Sequence, residues 1–154
     1  MDSDTVVLSD AAATQALGRR IAERWLQHPP QPAAAVLLLR GDLGAGKTCL
    51  VQGLAQGLAI AEPITSPTFA LAQHYQGGRG NLVHLDLYRL EHSAAADDLL
   101  AQEEEAAQEL GALLAVEWPE RLSFVPHGCW QLQLELLDPA DPAAGRRALL
   151  QLPR

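Results

Sequence analysis

Among 154 residues there is one lysine, at position 47, against ten arginines. Cysteine is nearly as scarce: Cys49 and Cys129 stand far apart, form no CxxC unit, and are joined by only five scattered histidines. That pattern argues against a zinc site, and reduced thiols suit a cytosolic protein. Long apolar runs are missing too. The most apolar stretch, AAAVLLL at 33–39, has the length of a strand and cannot span a bilayer. The first residues, MDSDTVV, are acidic and lack the basic-then-apolar pattern of a signal peptide. A cytoplasmic protein without membrane contact is expected. Positive charge is also short, with a formal net charge of −8. A broad basic surface for nucleic acid is therefore disfavoured.

What is present is ordinary for a globular protein: 48% hydrophobic and 19% charged residues. The length predicts one domain, 1–154, able to bury about 68–70% of the unfolded chain's surface. TVVLSD (5–10) predicts a strand running into a helix cap at Ser9 or Asp10, and the helix 11–26 sets Leu17, Ile21 and Trp25 on one face. AAVLLLR (34–40) has no alternation, as in a strand covered on both faces, and it leads through glycines into a helix over 47–60. The segments 65–76 and 81–90 flank GGRG and predict an antiparallel hairpin. A helix is expected over 93–110, with Ser93 as its cap and Glu103-Glu104-Glu105 as a solvated face. ALLAVEW (112–118) predicts another buried strand. CWQLQLELL (129–137) alternates, and RRALLQL (146–152) could pair with it.

The lone lysine lies in GDLGAGKT, residues 41–48. Gly41, Gly46, Lys47 and Thr48 satisfy G-x-x-x-x-G-K-[ST], with the required strand before the loop and a helix opening within it. Glycines let the backbone of Gly41, Asp42, Leu43, Gly44, Ala45 and Gly46 curl so that N–H groups face phosphate oxygens. The helix start adds partial positive charge. Lys47 brings a full charge to the β- and γ-phosphates, and Thr48 offers its hydroxyl to Mg2+. A guanidinium cannot imitate a compact ammonium on a thin stem, which accounts for a lysine kept here alone. Because Lys47 is the only lysine, no N-K-x-D guanine motif can exist, so ATP is favoured over GTP. The fold class that follows is α/β: a single P-loop NTPase domain, its mixed sheet having a parallel core and antiparallel hairpins, with helices on both faces.

A phosphate loop binds, whereas hydrolysis needs metal-holding and water-orienting groups. LVHLD ends at Asp86 and LLAVE at Glu117. If these strands run parallel to 34–40, both acids face the phosphates. Asp86 fits a metal-side acid, acting directly or through water. Two roles fit Glu117: holding the metal's shell or polarising the attacking water. Thr65, Ser66 and Thr68, around Pro67, fit either a switch that senses the γ-phosphate or a plain helix-to-strand turn.

The motifs GDLGAGKT, SPTF, DLYRL and VEWPER, in this order and spacing, resemble the TsaE family (formerly YjeE), and ATQALGRRIA resembles that family's first helix. The resemblance runs from about residue 5 to about residue 125. It implies ATP and Mg2+ as cofactors, slow ATP hydrolysis, and docking on the TsaD–TsaB pair that makes threonylcarbamoyladenosine in tRNA, with tRNA met only through those partners. It makes Lys47, Asp86 and Glu117 the catalytic set, and Thr48, Asp86 and Glu117 the metal set. It puts Trp118 near the nucleotide, Asp10 and Ala11 near the adenine, and Ser66 and Thr68 in a switch-like segment. Cys49 follows GKT where threonine or serine is common, and a small residue lining the site fits there. Arg89 and Arg121 have two readings each: contacts to phosphates or partner carboxylates, or structural pairing. Where the family usually has a glycine-containing turn between DLYR and EWP, this chain is alanine- and glutamate-rich with no glycine before Gly111. The alternative is a small-molecule kinase, for which 154 residues leave little room for an acceptor pocket and an arginine-rich lid. A nucleotide-dependent binding module without useful turnover is a further alternative.

Overall fold

The structure is a computed structural model that describes residues 3–27, 36–42, 44–64 and 71–152. Its strands are β1 (Ser3–Leu8), β2 (Val36–Arg40), β3 (Ala72–Tyr75), β4 (Asn81–Asp86), β5 (Ala112–Glu117), β6 (Trp130–Leu136) and β7 (Arg146–Gln151). Three helices accompany them: α1 (Ala11–Gln27), α2 (Lys47–Gly57) and α3 (Ser93–Leu110). All the strands join one sheet in the order β1-β7-β6-β2-β5-β4-β3. The four central strands, β6, β2, β5 and β4, are mutually parallel, while β3 and β7 add antiparallel neighbours and β1 runs antiparallel to β7.

The central strands are apolar almost throughout because both faces are covered. Leu37, Leu39, Leu82, Leu113, Ala115 and Leu132 point to a core shared with α1 and α2. Leu38, Val83, Leu85, Leu114 and Val116 point to the opposite core, with Ala96, Leu100 and Ala107 of α3. The chain leaves β2 towards β4 and β5, then returns past β2 to β6. Neighbours of β2 therefore diverge at its C-terminal end, the kind of crevice where open α/β sheets take ligands.

Two expectations about helices need correction. Ser93 does not cap α3: it is the first helical residue, and His92 occupies the cap position without a side-chain hydrogen bond. Nor are Glu103, Glu104 and Glu105 all solvated. Three consecutive helical residues span roughly 200° of the helix circumference, so one of them turns inward. Glu103 continues the buried row of Ala96, Leu100 and Ala107 and accepts a 3.0 Å hydrogen bond from His74 Nε2 of β3. Burial raises the Glu104 carboxyl above its ordinary pKa. The glycine-free segment is a continuous helix that stops at Gly111 in the left-handed conformation. At the other end of the chain, the start of α1 is capped by Asp10 rather than Ser9, Oδ1 accepting from the Ala13 N–H at 2.8 Å.

Helices α1 and α2 cross at backbone contact. A Cβ at Gly53 would lie 2.1 Å from the Gln15 carbonyl oxygen, and one at Gly18 would lie 2.4 Å from that of Leu50. Replacing a mid-helix glycine by alanine ordinarily gains up to about 1 kcal/mol. Here the steric conflict is backbone against backbone and outweighs that gain. Gly53→Ala is expected to destabilise the protein by about 3 kcal/mol, read as a lower urea midpoint at unchanged slope. A midpoint equal to or above wild type would show that the helices can separate without loss.

Candidate functional site

Strand β2 ends at Arg40, and the next residues turn sharply. Gly41 has φ 155°, Gly44 φ 82° and Gly46 φ 105°. A side chain at Gly41 would meet the Leu134 carbonyl oxygen at 2.7 Å, so the loop lies directly on β6. Inside the turn, the Ala45 N–H bonds the Asp42 carbonyl at 3.0 Å. Helix α2 then opens at Lys47 behind Gly46, which offers no side-chain cap. The first N–H groups of a helix have no backbone partner within it, and a helix start of this kind favours an anion.

Lys47 is only 6% exposed. Its ammonium donates to the Gly41 carbonyl at 2.7 Å and lies 3.8 Å from the centre of the Trp118 ring. Burial pulls its pKa below the ordinary lysine value, against the opposing attraction of Glu117, Glu120, Asp86 and Asp42. The indole reaches the lysine because Trp118 takes a left-handed conformation, φ 59° and ψ 49°, which ends β5 abruptly. The indole also meets Tyr88, ring centres 4.8 Å apart. Arg121 in turn donates to the Tyr88 carbonyl at 3.0 Å, a structural contact, while Arg89 is exposed.

The parallel register brings the two acids level. Asp86 of β4 pairs with Glu117 of β5, and Glu117 pairs with Leu39 of β2. By strand alternation both acids share the α2 face with Leu82 and Ala115. Asp86 Oδ1 accepts from the Tyr88 N–H at 3.0 Å. Burial raises the Asp86 carboxyl above its ordinary pKa; the Tyr88 N–H opposes this, and Glu117 adds to it. Glu117 is 5% exposed. One of its oxygens lies 2.5 Å from His84 Nε2, so that nitrogen carries the donated proton. Among the described residues, the buried His84 Nδ1 has no hydrogen-bond partner.

The structure therefore gathers Gly41, Asp42, Gly44, Ala45, Gly46, Lys47, Asp86, Glu117 and Trp118 around the head of α2, with Thr48 following Lys47 in its first turn. Beside that turn is a pocket of about 340 Å3, lined among others by Asp10, Ala11, Thr14, Gly46, Cys49 and Arg146. Leu43, Thr65, Ser66 and Thr68 lie outside the described residues. For Mg2+ the candidate donors are hard oxygens, the Thr48 hydroxyl and the Asp86 and Glu117 carboxylates. Among the described residues no cluster of three or more histidine, cysteine or acidic side chains could hold a metal by itself.

A family model described as "Threonylcarbamoyl adenosine biosynthesis protein TsaE" matches residues 8–146. The chain belongs to the TsaE family. A relative named tRNA threonylcarbamoyladenosine biosynthesis protein TsaE, from Nostoc sp. PCC 7120, is 45% identical over 121 residues, covering 79% of this chain and 71% of its own. Its namesake from Synechocystis sp. PCC 6803 is 42% identical over 120 residues, covering 77% and 72%. The crystal structure of Bacillus subtilis YdiB superposes with a TM-score of 0.66 over 98% of this chain and 86% of that one; at 24% identity it speaks for the fold.

Sequence reasoning passed over three residues of this TsaE-family site. His84 carried a signal: in LVHL it is the polar residue among apolar ones, two positions before Asp86 and hence on the same face. Tyr88 lies within the DLYRL motif but was given no role. Arg146 carried no local signal, since the carbonyls it binds are about a hundred residues away.

A buried carboxylate with a raised pKa costs stability when ionised. Its folded form binds the proton more tightly than the unfolded chain, so stability is greatest at low pH and falls as pH rises through the folded pKa. Asp86→Asn keeps the oxygen that accepts from Tyr88 and removes the charge. In the absence of ligand it is expected to melt above wild type at pH 7, the advantage shrinking towards pH 4. Thermal melts across that range check it, and a lower melting point at pH 7 would contradict the cost assigned to Asp86.

Proposed function

We propose that this protein binds ATP with Mg2+ and hydrolyses it slowly, as the ATPase component of the cytoplasmic machinery that installs threonylcarbamoyladenosine beside the anticodon of tRNA. It would act on the TsaD–TsaB complex and meet tRNA only through those partners. Membership of the TsaE family gives the pathway. The observation that carries the nucleotide reading is Lys47: a nearly buried ammonium at an uncapped helix start, level with two acids. Among the described residues its direct partners are a carbonyl and an indole face, both weaker partners than a phosphate. No helix among the described residues is long and apolar enough to cross a membrane, and the charge of −8 agrees with RNA being held by a partner.

In this reading the triphosphate lies along the loop from Gly41 to Thr48. Lys47 exchanges the Gly41 carbonyl for phosphate oxygens, while the first N–H groups of α2 receive the remaining charge. Thr48 and Asp86 would hold Mg2+, which when bound neutralises charge on the β- and γ-phosphates. Glu117, fixed on one side by His84, orients and polarises the attacking water. The adenine lies towards Asp10, Ala11 and Cys49, in the pocket beside the loop. Trp118 closes the phosphate end, and Ser66 and Thr68 are assigned to sensing the γ-phosphate.

Two variants separate binding from turnover. Lys47→Ala is expected to lose ATP affinity by more than tenfold and to fail in complementation while melting within a few degrees of wild type. Glu117→Ala should keep ATP affinity within a few-fold and lose phosphate release by 100-fold or more, the scale of a lost general base. Calorimetric titration and phosphate release, with and without TsaD and TsaB, give the answer. Turnover by Glu117→Ala at the wild-type rate would remove Glu117 from its assigned role, and phosphate transfer to a small acceptor would favour a kinase instead.

A further inference from the structure

Arg146 begins β7 and is anchored on both sides, pairing with Leu8 of β1 and Leu136 of β6. Its guanidinium donates to four carbonyls. Nε reaches Ala45 at 3.2 Å and Nη2 reaches Gly44 at 3.1 Å, both in the phosphate loop. Nη1 reaches Pro142 at 2.5 Å and Gly145 at 3.3 Å, in the β6–β7 connection. Pro142, Ala143, Gly145 and Arg146 itself line the pocket beside the loop. One rigid, planar group thus fastens the wall of that pocket to the outer side of the loop.

The contact has a direction. In a trans peptide the N–H points opposite to the carbonyl. Drawing the Ala45 carbonyl towards Arg146 therefore turns the Gly46 N–H away from it. A lysine could supply the charge but not the fork that holds two carbonyls of one segment and two of another at once.

We propose that Arg146 is a positioning residue that couples the pocket to the phosphate loop, so that filling one tightens the other. The proposal rests on the nucleotide-binding reading above. A ligand part seated against 142–145 restrains that connection and, through the guanidinium, the curvature of residues 44–46. The anion then meets a loop already shaped. Thermodynamic linkage requires the reverse effect to be equal.

Adenosine and inorganic pyrophosphate test this as separate probes of the two halves, by calorimetric titration of the full chain. Saturating adenosine is expected to tighten pyrophosphate binding about fivefold or more, and pyrophosphate to tighten adenosine by the same factor. In Arg146→Lys, pyrophosphate should bind about tenfold more weakly, and the coupling factor should fall to about one. Arg146→Gln should abolish the coupling as well. A merely structural role would lower the melting temperature yet leave the coupling factor intact in whatever protein remains folded. Coupling within twofold of wild type in both variants overturns the proposal. So does independent binding of the two probes by the wild-type protein, a result that needs no variant and leaves the nucleotide reading standing. Wild-type protein that takes neither probe overturns both.

Discussion

A single ammonium held where water scarcely reaches sets the terms for this site. Lys47 is withdrawn from solvent by the α2 start, the Gly41 carbonyl and the Trp118 ring. A buried charge is costly unless paired, and neither partner here is an anion. A cation–π contact contributes about 0.5–2 kcal/mol, and one carbonyl adds a modest hydrogen bond, less than an anionic partner would. Asp86 and Glu117 lie close enough to influence the lysine, yet each is engaged elsewhere, with the Tyr88 N–H and with His84. The fold thus brings one cationic and two acidic side chains to one end of the sheet without pairing them directly, an arrangement that under the proposed function a phosphate with a divalent cation would complete.

That separation depends on the sheet. Parallel pairing of β2, β5 and β4 puts Leu39, Glu117 and Asp86 in one row, so the height of each acid is fixed by backbone hydrogen bonds. A slip of one residue between β4 and β5 would turn Asp86 to the α3 face. The runs of leucine and valine on both faces make such a slip expensive, because every inward side chain would change cores. On the other side, the backbone-close crossing of α1 and α2 ties the Asp10 end of α1 to the loop helix.

Much of this was legible in the sequence because the strongest signals are local. The glycine loop, the unbroken apolar run before it and the acid at the end of each apolar strand all lie within a few residues of what they specify. The parallel core, the two hairpins and helices on both faces followed from such segments. The misreadings share a cause: they concern which partner a polar side chain finds across space. Glu103 looks like part of a solvated run until the helix circumference and His74 are considered together. Ser93 has a capping composition, but the cap position falls one residue earlier. His84 could have been found by counting alternation from Asp86. Arg146 could not, because its four carbonyls are contributed by two loops that meet only after the sheet is assembled.

The left-handed turn at Trp118 has an optical consequence. Of the three tryptophans, Trp25 and Trp130 are enclosed in the apolar core, whereas Trp118 has a cation against its face and a tyrosine ring beside it. Indole emission is sensitive to a neighbouring charge, so under the proposed function departure of the ammonium towards an incoming anion would alter the light chiefly from this one ring. Trp118 would then serve as a native fluorophore whose signal follows the lysine itself, without any label.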